Sequence, residues 1–133
     1  MSFVVDSSVI VVALIDSGPH GRWAEDILAQ DSLNAPEFAR AEATNVLRRL
    51  ELAKQITAAE AEAAFEDLMQ LDLELLPYDP FAKRVWELRH TVTSYDAWYV
   101  ALAEVLKAPL ATLDMKLSRA QGPTCRFLTP PEE

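Results

Sequence analysis

The chain has 133 residues, 50% of them hydrophobic, and a formal net charge of −9 from 12 Lys and Arg against 21 Asp and Glu. That length suits one compact domain over residues 1–133, and the acidic balance excludes a protein that holds nucleic acid by a general basic surface, because neutralising phosphates needs Lys and Arg. The longest unbroken apolar run, Val9 to Ile15, has seven residues where a membrane span needs about 20, and no basic segment precedes it as a secretory signal requires; a soluble, cytoplasmic protein with no membrane partner is expected.

In chain order, Phe3-Val4-Val5 is aromatic and β-branched and gives way to polar groups at Asp6-Ser7-Ser8, which predicts a short buried strand with Asp6 at its carboxyl end. Ser17-Gly18-Pro19 predicts a helix start with Pro at the first position, and Trp23, Ile27 and Leu28 form its apolar stripe. By the same logic Asn34-Ala35-Pro36 predicts the start of a second helix, with Ala39, Ala43, Val46, Leu47 and Leu50 on one face. Thr57-Ala-Ala-Glu60 has the capping-box pattern and opens a third, whose apolar face is Phe65, Leu68, Met69 and Leu71.

Leu73 to Pro77 is a second candidate strand, and Asp79-Pro80 is expected to cap a helix carrying Val85, Trp86 and Leu88. Ser94 is expected to cap YDAWYVALAEVLKA, which is apolar nearly all round and so predicted to lie deep; Pro109 ends it. Leu110 to Leu113 predicts a third strand stopping at Asp114, followed by a short helix broken at Gly122-Pro123 and a last strand at Arg126 to Leu128. Strands alternating with helices imply an α/β fold, a parallel sheet covered on both faces. Seven acids and no Lys or Arg lie between Gln55 and Ala82, which reads as a solvated helix face or a docking surface for a basic partner. Cys125, the single cysteine, has no disulfide partner within the chain and is expected to be a partly buried thiol.

In an open parallel sheet the ligand site lies beyond the carboxyl ends of the strands, so Asp6 and Asp114 should approach each other. Glu42, on the flank of the second helix's apolar face, and Asp96, in the first turn of the most apolar helix, are the other candidates. Taken singly, each has an ordinary role available: Asp96 complements a helix dipole, Asp6 and Asp114 enter helices or turns, and Glu42 pairs with Arg49. Taken together at one pole, they would repel unless protonated or bridged by a cation, and oxygen-only ligands favour Mg²⁺ or Mn²⁺. His20 and His90 are near none of the four in sequence, which leaves a zinc site without ligands and both histidines as surface or packing residues. An all-carboxylate metal site with no protein nucleophile points to hydrolysis by a metal-activated water.

These segments, FVVDSSVIVVALI, APEFARAEATNVLRR with its Glu-x-x-Asn, SYDAWYVALAE and LATLDMKL, resemble a PIN-domain ribonuclease, the VapC-type toxin of bacterial toxin–antitoxin pairs, over nearly the full length. The resemblance implies a three-layer PIN-like α/β domain, with a central parallel sheet flanked by helices. It also implies that Asp6, Glu42, Asp96 and Asp114 bind one or two Mg²⁺ or Mn²⁺ ions, with Thr112 as the hydroxyl residue beside the last acid and Ser8 and Asn45 as supporting polar positions. The implied reaction is endonucleolytic cleavage of tRNA, rRNA or mRNA, leaving a 5′-phosphate and a 3′-hydroxyl, and Lys116 and Arg119 are placed to meet phosphates. The implied partner is a VapB-like antitoxin whose Arg-bearing segment crosses the metal pole. Its groove is expected between residues 19–30, 36–53 and 57–71, with Trp23 and Phe38 as anchors, in a homodimer.

A haloacid-dehalogenase-type phosphatase needs a second Asp two residues after the first, where this chain has Ser8. A phosphoreceiver domain needs an acceptor Asp on a middle strand and a late Lys, and neither is found. A structure-specific DNA nuclease of related fold needs gripping segments for which the chain has no room. The alternatives left are a catalytically silent PIN-like scaffold, which idle clustered carboxylates would destabilise, and a stand-alone RNA-processing nuclease.

Overall fold

The computed structural model describes residues 2–30 and 32–131. Five strands, β1 (Ser2–Val5), β2 (Ser32–Pro36), β3 (Glu74–Leu76), β4 (Leu110–Ala111) and β5 (Phe127–Leu128), form one sheet in the order β3-β2-β1-β4-β5, with every pairing parallel. The helices are α1 (Ser7–Ile15), α2 (Pro19–Leu28), α3 (Ala39–Leu52), α4 (Ala58–Gln70), α5 (Ala82–Glu87, entered through a 3-10 turn at Asp79–Phe81), α6 (Ser94–Leu106) and α7 (Met115–Ser118). Alternation along β1 divides the core. Val4 faces a layer with Phe81, Val85, Leu88 and the buried residues of α6, whereas Phe3 and Val5 face a layer with α1, Ala24 of α2, Leu47 of α3 and Leu68 of α4. The result is the three-layer α/β arrangement that the element order predicts.

Two elements differ from the sequence reading. Asn34-Ala35-Pro36 is not a helix start but the end of β2: Asn34 is buried and its Nδ2 donates to the Phe3 carbonyl at 3.1 Å, while Pro36 takes the last strand position and the ladder continues through the Glu37 amide to the Leu76 carbonyl at 2.9 Å. A proline at the end of a strand costs the sheet little, so the Asx-Ala-Pro pattern imitates a helix entrance. Residues 7–15, which carried no helix signal, form α1; its Val9, Ile10, Val11 and Ala13 are all buried, so no solvent face marks a helical period.

Caps explain most boundaries. The Thr57 box is present in both directions, with the Glu60 amide donating to Thr57 Oγ1 at 3.0 Å and the Thr57 amide to Glu60 Oε1 at 2.9 Å. α6 is capped by Thr93 rather than Ser94, which is already helical, and the Asp79 side chain makes no capping bond. α6 stops at Lys107 in the left-handed conformation (φ 52°), two residues before Pro109. Asp16 ties α1 to α2 by accepting the Gly18 and Gly21 amides at 3.0 and 3.1 Å, and a Cβ on Gly21 would meet the Asp16 carbonyl oxygen at 1.8 Å. The sheet's far edge closes when Leu110 and Thr112 amides donate to the Arg126 and Leu128 carbonyls at 2.8 and 2.9 Å.

The seven acids between Gln55 and Ala82 are exposed, as a solvated face requires, and so are both histidines; Cys125 is half-buried. Among the described residues no helix is long and apolar enough to cross a membrane.

Candidate active site

Strand ends and helix starts bring the four acids to the carboxyl pole of the sheet. Asp6 follows β1 and caps α1, accepting the Val9 amide at 3.2 Å on Oδ1. Asp114 follows β4 and caps α7, accepting the Leu117 amide at 3.0 Å. Glu42 stands in the first turn of α3 and Asp96 in the first turn of α6. Two of the acids therefore fill the ordinary role of helix cap and still share a pole with the others.

A hydroxyl network joins the first and last of them. Thr112, fully buried, donates to Asp6 Oδ2 and accepts the Asp114 amide at 3.0 Å; Ser8 donates to Asp6 Oδ1 and accepts the Leu113 amide at 3.2 Å. The loop between β4 and α7 is thus pinned to Asp6 from both sides. Glu42 does not pair with Arg49; its Oε1 accepts the Tyr99 hydroxyl at 2.9 Å. Tyr99 escapes the sequence reading because 57 residues separate it from Glu42 and no local pattern links them. Asn45 and Arg49 are exposed on α3, outside the network.

The electrostatics match acids without a counter-charge. Burial raises the Asp6 carboxyl to about 6 against the pull of its three hydrogen-bond donors, and the Asp96 charge adds to the rise. Asp96 is raised by burial and by the charges of Asp114 and Glu42. Burial and Glu42 likewise push the Tyr99 hydroxyl up, so it stays a donor. Among the described residues the ion pairs belong to Arg84, with Glu87 and Glu104, and none reaches the four acids. Asp96 and Asp114 line a cleft of about 250 Å³ with Thr93 and Lys116; Arg119 lies exposed at the end of α7, beyond the cleft lining. No three carboxylate, imidazole or thiolate groups among the described residues are gathered closely enough to hold one ion. The four acids therefore share a pole and feel one another's charge without closing into a nest.

Of the two anchors expected for a partner, Trp23 packs half-buried against the α1 layer, and Phe38 stacks on Trp98 with ring centroids 5.2 Å apart.

Comparison with known proteins gives one consistent result. The PIN domain model matches residues 3–123. The chain is 39% identical to Ribonuclease VapC1 of Mycobacterium tuberculosis, over 93% of this chain and 94% of that protein. Among solved structures, FitAcB from Neisseria gonorrhoeae superposes with a TM-score of 0.70 at 19% identity, over 96% of this chain and 97% of that one. VapBC-5 from Mycobacterium tuberculosis, a member of the VapBC family of toxin-antitoxin systems, does so with a TM-score of 0.57 at 23% identity and 96% coverage of both. With the family model matched over residues 3–123 and a VapC ribonuclease 39% identical over nearly the full length, the chain belongs to the PIN-domain family and, within it, to the VapC group.

Proposed function

We propose that this chain is a Mg²⁺- or Mn²⁺-dependent endoribonuclease of the cytoplasm, acting as the toxin of a toxin–antitoxin pair from a single 1–133 domain. The observation that carries the reading is the set of four acids at one pole, two of them with raised proton affinity and none ion-paired among the described residues. The donor set is all oxygen, as a hard divalent ion requires, and its uncompensated charge is what such an ion would relieve. Asp6, Glu42, Asp96 and Asp114 would hold it. When bound, such an ion supplies charge compensation for a phosphoryl oxygen and acidifies the attacking water.

The chain's own groups do the positioning. Thr112 and Ser8 fix both oxygens of Asp6, and Tyr99 fixes one oxygen of Glu42. Lys116, on the cleft wall with Asp114, is placed to receive a phosphate of the RNA, and Arg119, exposed at the end of α7, is the second candidate for a phosphate contact. RNA is the substrate class because VapC relatives are named ribonucleases. The solved VapBC structure supports an antitoxin as partner; we place its groove along α2, α3 and α4 and infer that the toxin is a homodimer.

One observation favours a second reading, a non-catalytic PIN-like scaffold: among the described residues the acids do not form a closed three-ligand cluster. Melting the wild type and Asp96→Asn with and without Mn²⁺ separates the two. A ligand that binds only the folded state adds about 2.7 kcal/mol at a hundredfold excess over Kd, several degrees in Tm for a chain of this size. Stabilisation of the wild type alone supports the nuclease; no response from either chain makes the acids structural.

A further inference from the structure

Beside the acids, on the β3 side, lies a group of aromatic rings that no step above uses. Phe38 leaves β2 one helical turn before Glu42, Tyr78 follows β3, and Tyr95 and Trp98 stand on the first two turns of α6, either side of Asp96 and its neighbour. Phe38 stacks on Trp98 (centroids 5.2 Å, 17° between planes), Tyr95 leans on Phe38 (5.2 Å, 42°), and Tyr78 meets Trp98 edge-on (5.2 Å, 81°). Phe38 and Trp98 are half-buried against the core, whereas Tyr95 is 63% exposed and Tyr78 40%. The Trp98 indole N–H is buried with no hydrogen-bond partner among the described residues.

We infer that this group is a stacking shelf: Tyr95, backed by Phe38 and Trp98, holds an unpaired nucleobase of the RNA next to the phosphate at the acids, and so restricts the substrate to single-stranded or looped-out segments. The inference rests on the nuclease reading and deepens it. Three observations support a base as the occupant. The shelf adjoins the acid pole through Phe38, which leans on Tyr99 (centroids 5.8 Å, 60°), whose hydroxyl donates to Glu42 at 2.9 Å. Lys116 lines the cleft with Asp96 and Asp114 just after β4, whereas Phe38 and Tyr78 follow β2 and β3, so a strand running in sheet order from β3 towards β5 passes rings before it reaches that cation. A chain with a net charge of −9 cannot draw its RNA affinity mainly from phosphate neutralisation, and stacking is independent of charge. A paired base has both faces covered and cannot use such a shelf.

The test uses the whole chain in EDTA, where no cleavage competes, and three probes of mixed sequence: a labelled 12-nucleotide single-stranded RNA, the same strand with abasic residues, and its blunt duplex. Tyr95→Ala should weaken the single strand by about 5- to 100-fold, the loss of one stacked base. Tyr95→Phe should stay within about twofold, and abasic and duplex binding should not change in either variant. Equal binding of the single strand by wild type and Tyr95→Ala overturns the shelf, as does an equal loss for the abasic probe. A wild-type dimer in sedimentation that Tyr95→Ala dissociates, with RNA affinity unchanged, assigns the rings to a second copy of the chain and also overturns it. Wild-type cleavage of RNA in Mn²⁺, assayed alongside, keeps failure of the shelf distinct from failure of the nuclease reading.

Discussion

Asp96, in the first turn of α6, and Glu104, in its last turn, are partly buried carboxylates on one helix, yet their proton affinities move in opposite directions. The helix dipole favours an anion at Asp96 and disfavours one at Glu104, by up to about 1 kcal/mol at such ends. The outcome is the reverse. Burial and the charges of Asp114 and Glu42 raise Asp96, whereas at Glu104 burial is outweighed by the Arg84 guanidinium and the Thr124 amide, which lower it. Arg84 grips both Glu104 oxygens, at 2.7 and 3.1 Å, and the Gly122 carbonyl at 2.8 Å, so this pole of the molecule is neutralised from within. The pole that holds Asp96 is not. A carboxylate completed by its own chain is structural; one left facing other carboxylates has its counter-charge still to come.

The largest effect that should divide the two is on turnover. Asp96→Asn should lower RNA cleavage at least ~100-fold, the cost of losing a metal ligand, while Glu104→Gln leaves the single-turnover rate within about twofold. Comparable losses from both substitutions would abolish the distinction.

Next in size is the response to pH without metal. Because Asp6 is raised from 3.8 to about 6 in the folded chain, the native state binds more protons across that interval than the unfolded state does, and stability falls as pH rises through it. The loss attributable to Asp6 is about 3 kcal/mol by pH 7. Urea denaturation of wild type and Asp6→Asn should therefore agree near pH 4 and diverge by up to that amount at pH 7, the variant being the more stable. Glu104 has the opposite sign: its stabilising interaction is present above the usual Glu range and is lost on acidification. A pH-independent gap between Asp6→Asn and wild type would refute the unpaired-acid account.

Arg84→Met should cost about 2 kcal/mol, from charged hydrogen bonds lost at a partly screened site, and should do so equally with and without Mn²⁺. The smallest effect expected is in the apo protein, where Asp96→Asn should be slightly more stable than the wild type at neutral pH, a gain that Mn²⁺ reverses by stabilising only the wild type. Thermal melts at fixed pH would show a destabilised apo variant if the carboxyl were held by unseen donors instead.

Much of this site was legible because its acids sit where local rules forbid surplus charge. Asp6 and Asp114 end apolar strands, and Asp96 breaks the most apolar helix, so sequence position alone singled them out. Glu42 stood out on the flank of an apolar helix face, and the resemblance gave Thr112 and Ser8 their places. What could not be read was non-local: the Tyr99 hydroxyl on Glu42 and the Arg84 fork on Glu104 join residues 57 and 20 apart, and no period connects them. β2 and α1 were hidden for a different reason. A terminal proline mimics a helix entrance, and a helix buried on nearly every side carries no stripe.

The pairing of β5 with β4 has a consequence for the order of synthesis. The amide of Thr112, whose hydroxyl holds Asp6, is itself held by the carbonyl of Leu128. A chain emerging from the ribosome has made all four acids by residue 114 but must extend 14 residues further before that tether exists. Until that strand pairs, the loop between β4 and α7 lacks the bond that steadies the hydroxyl on Asp6.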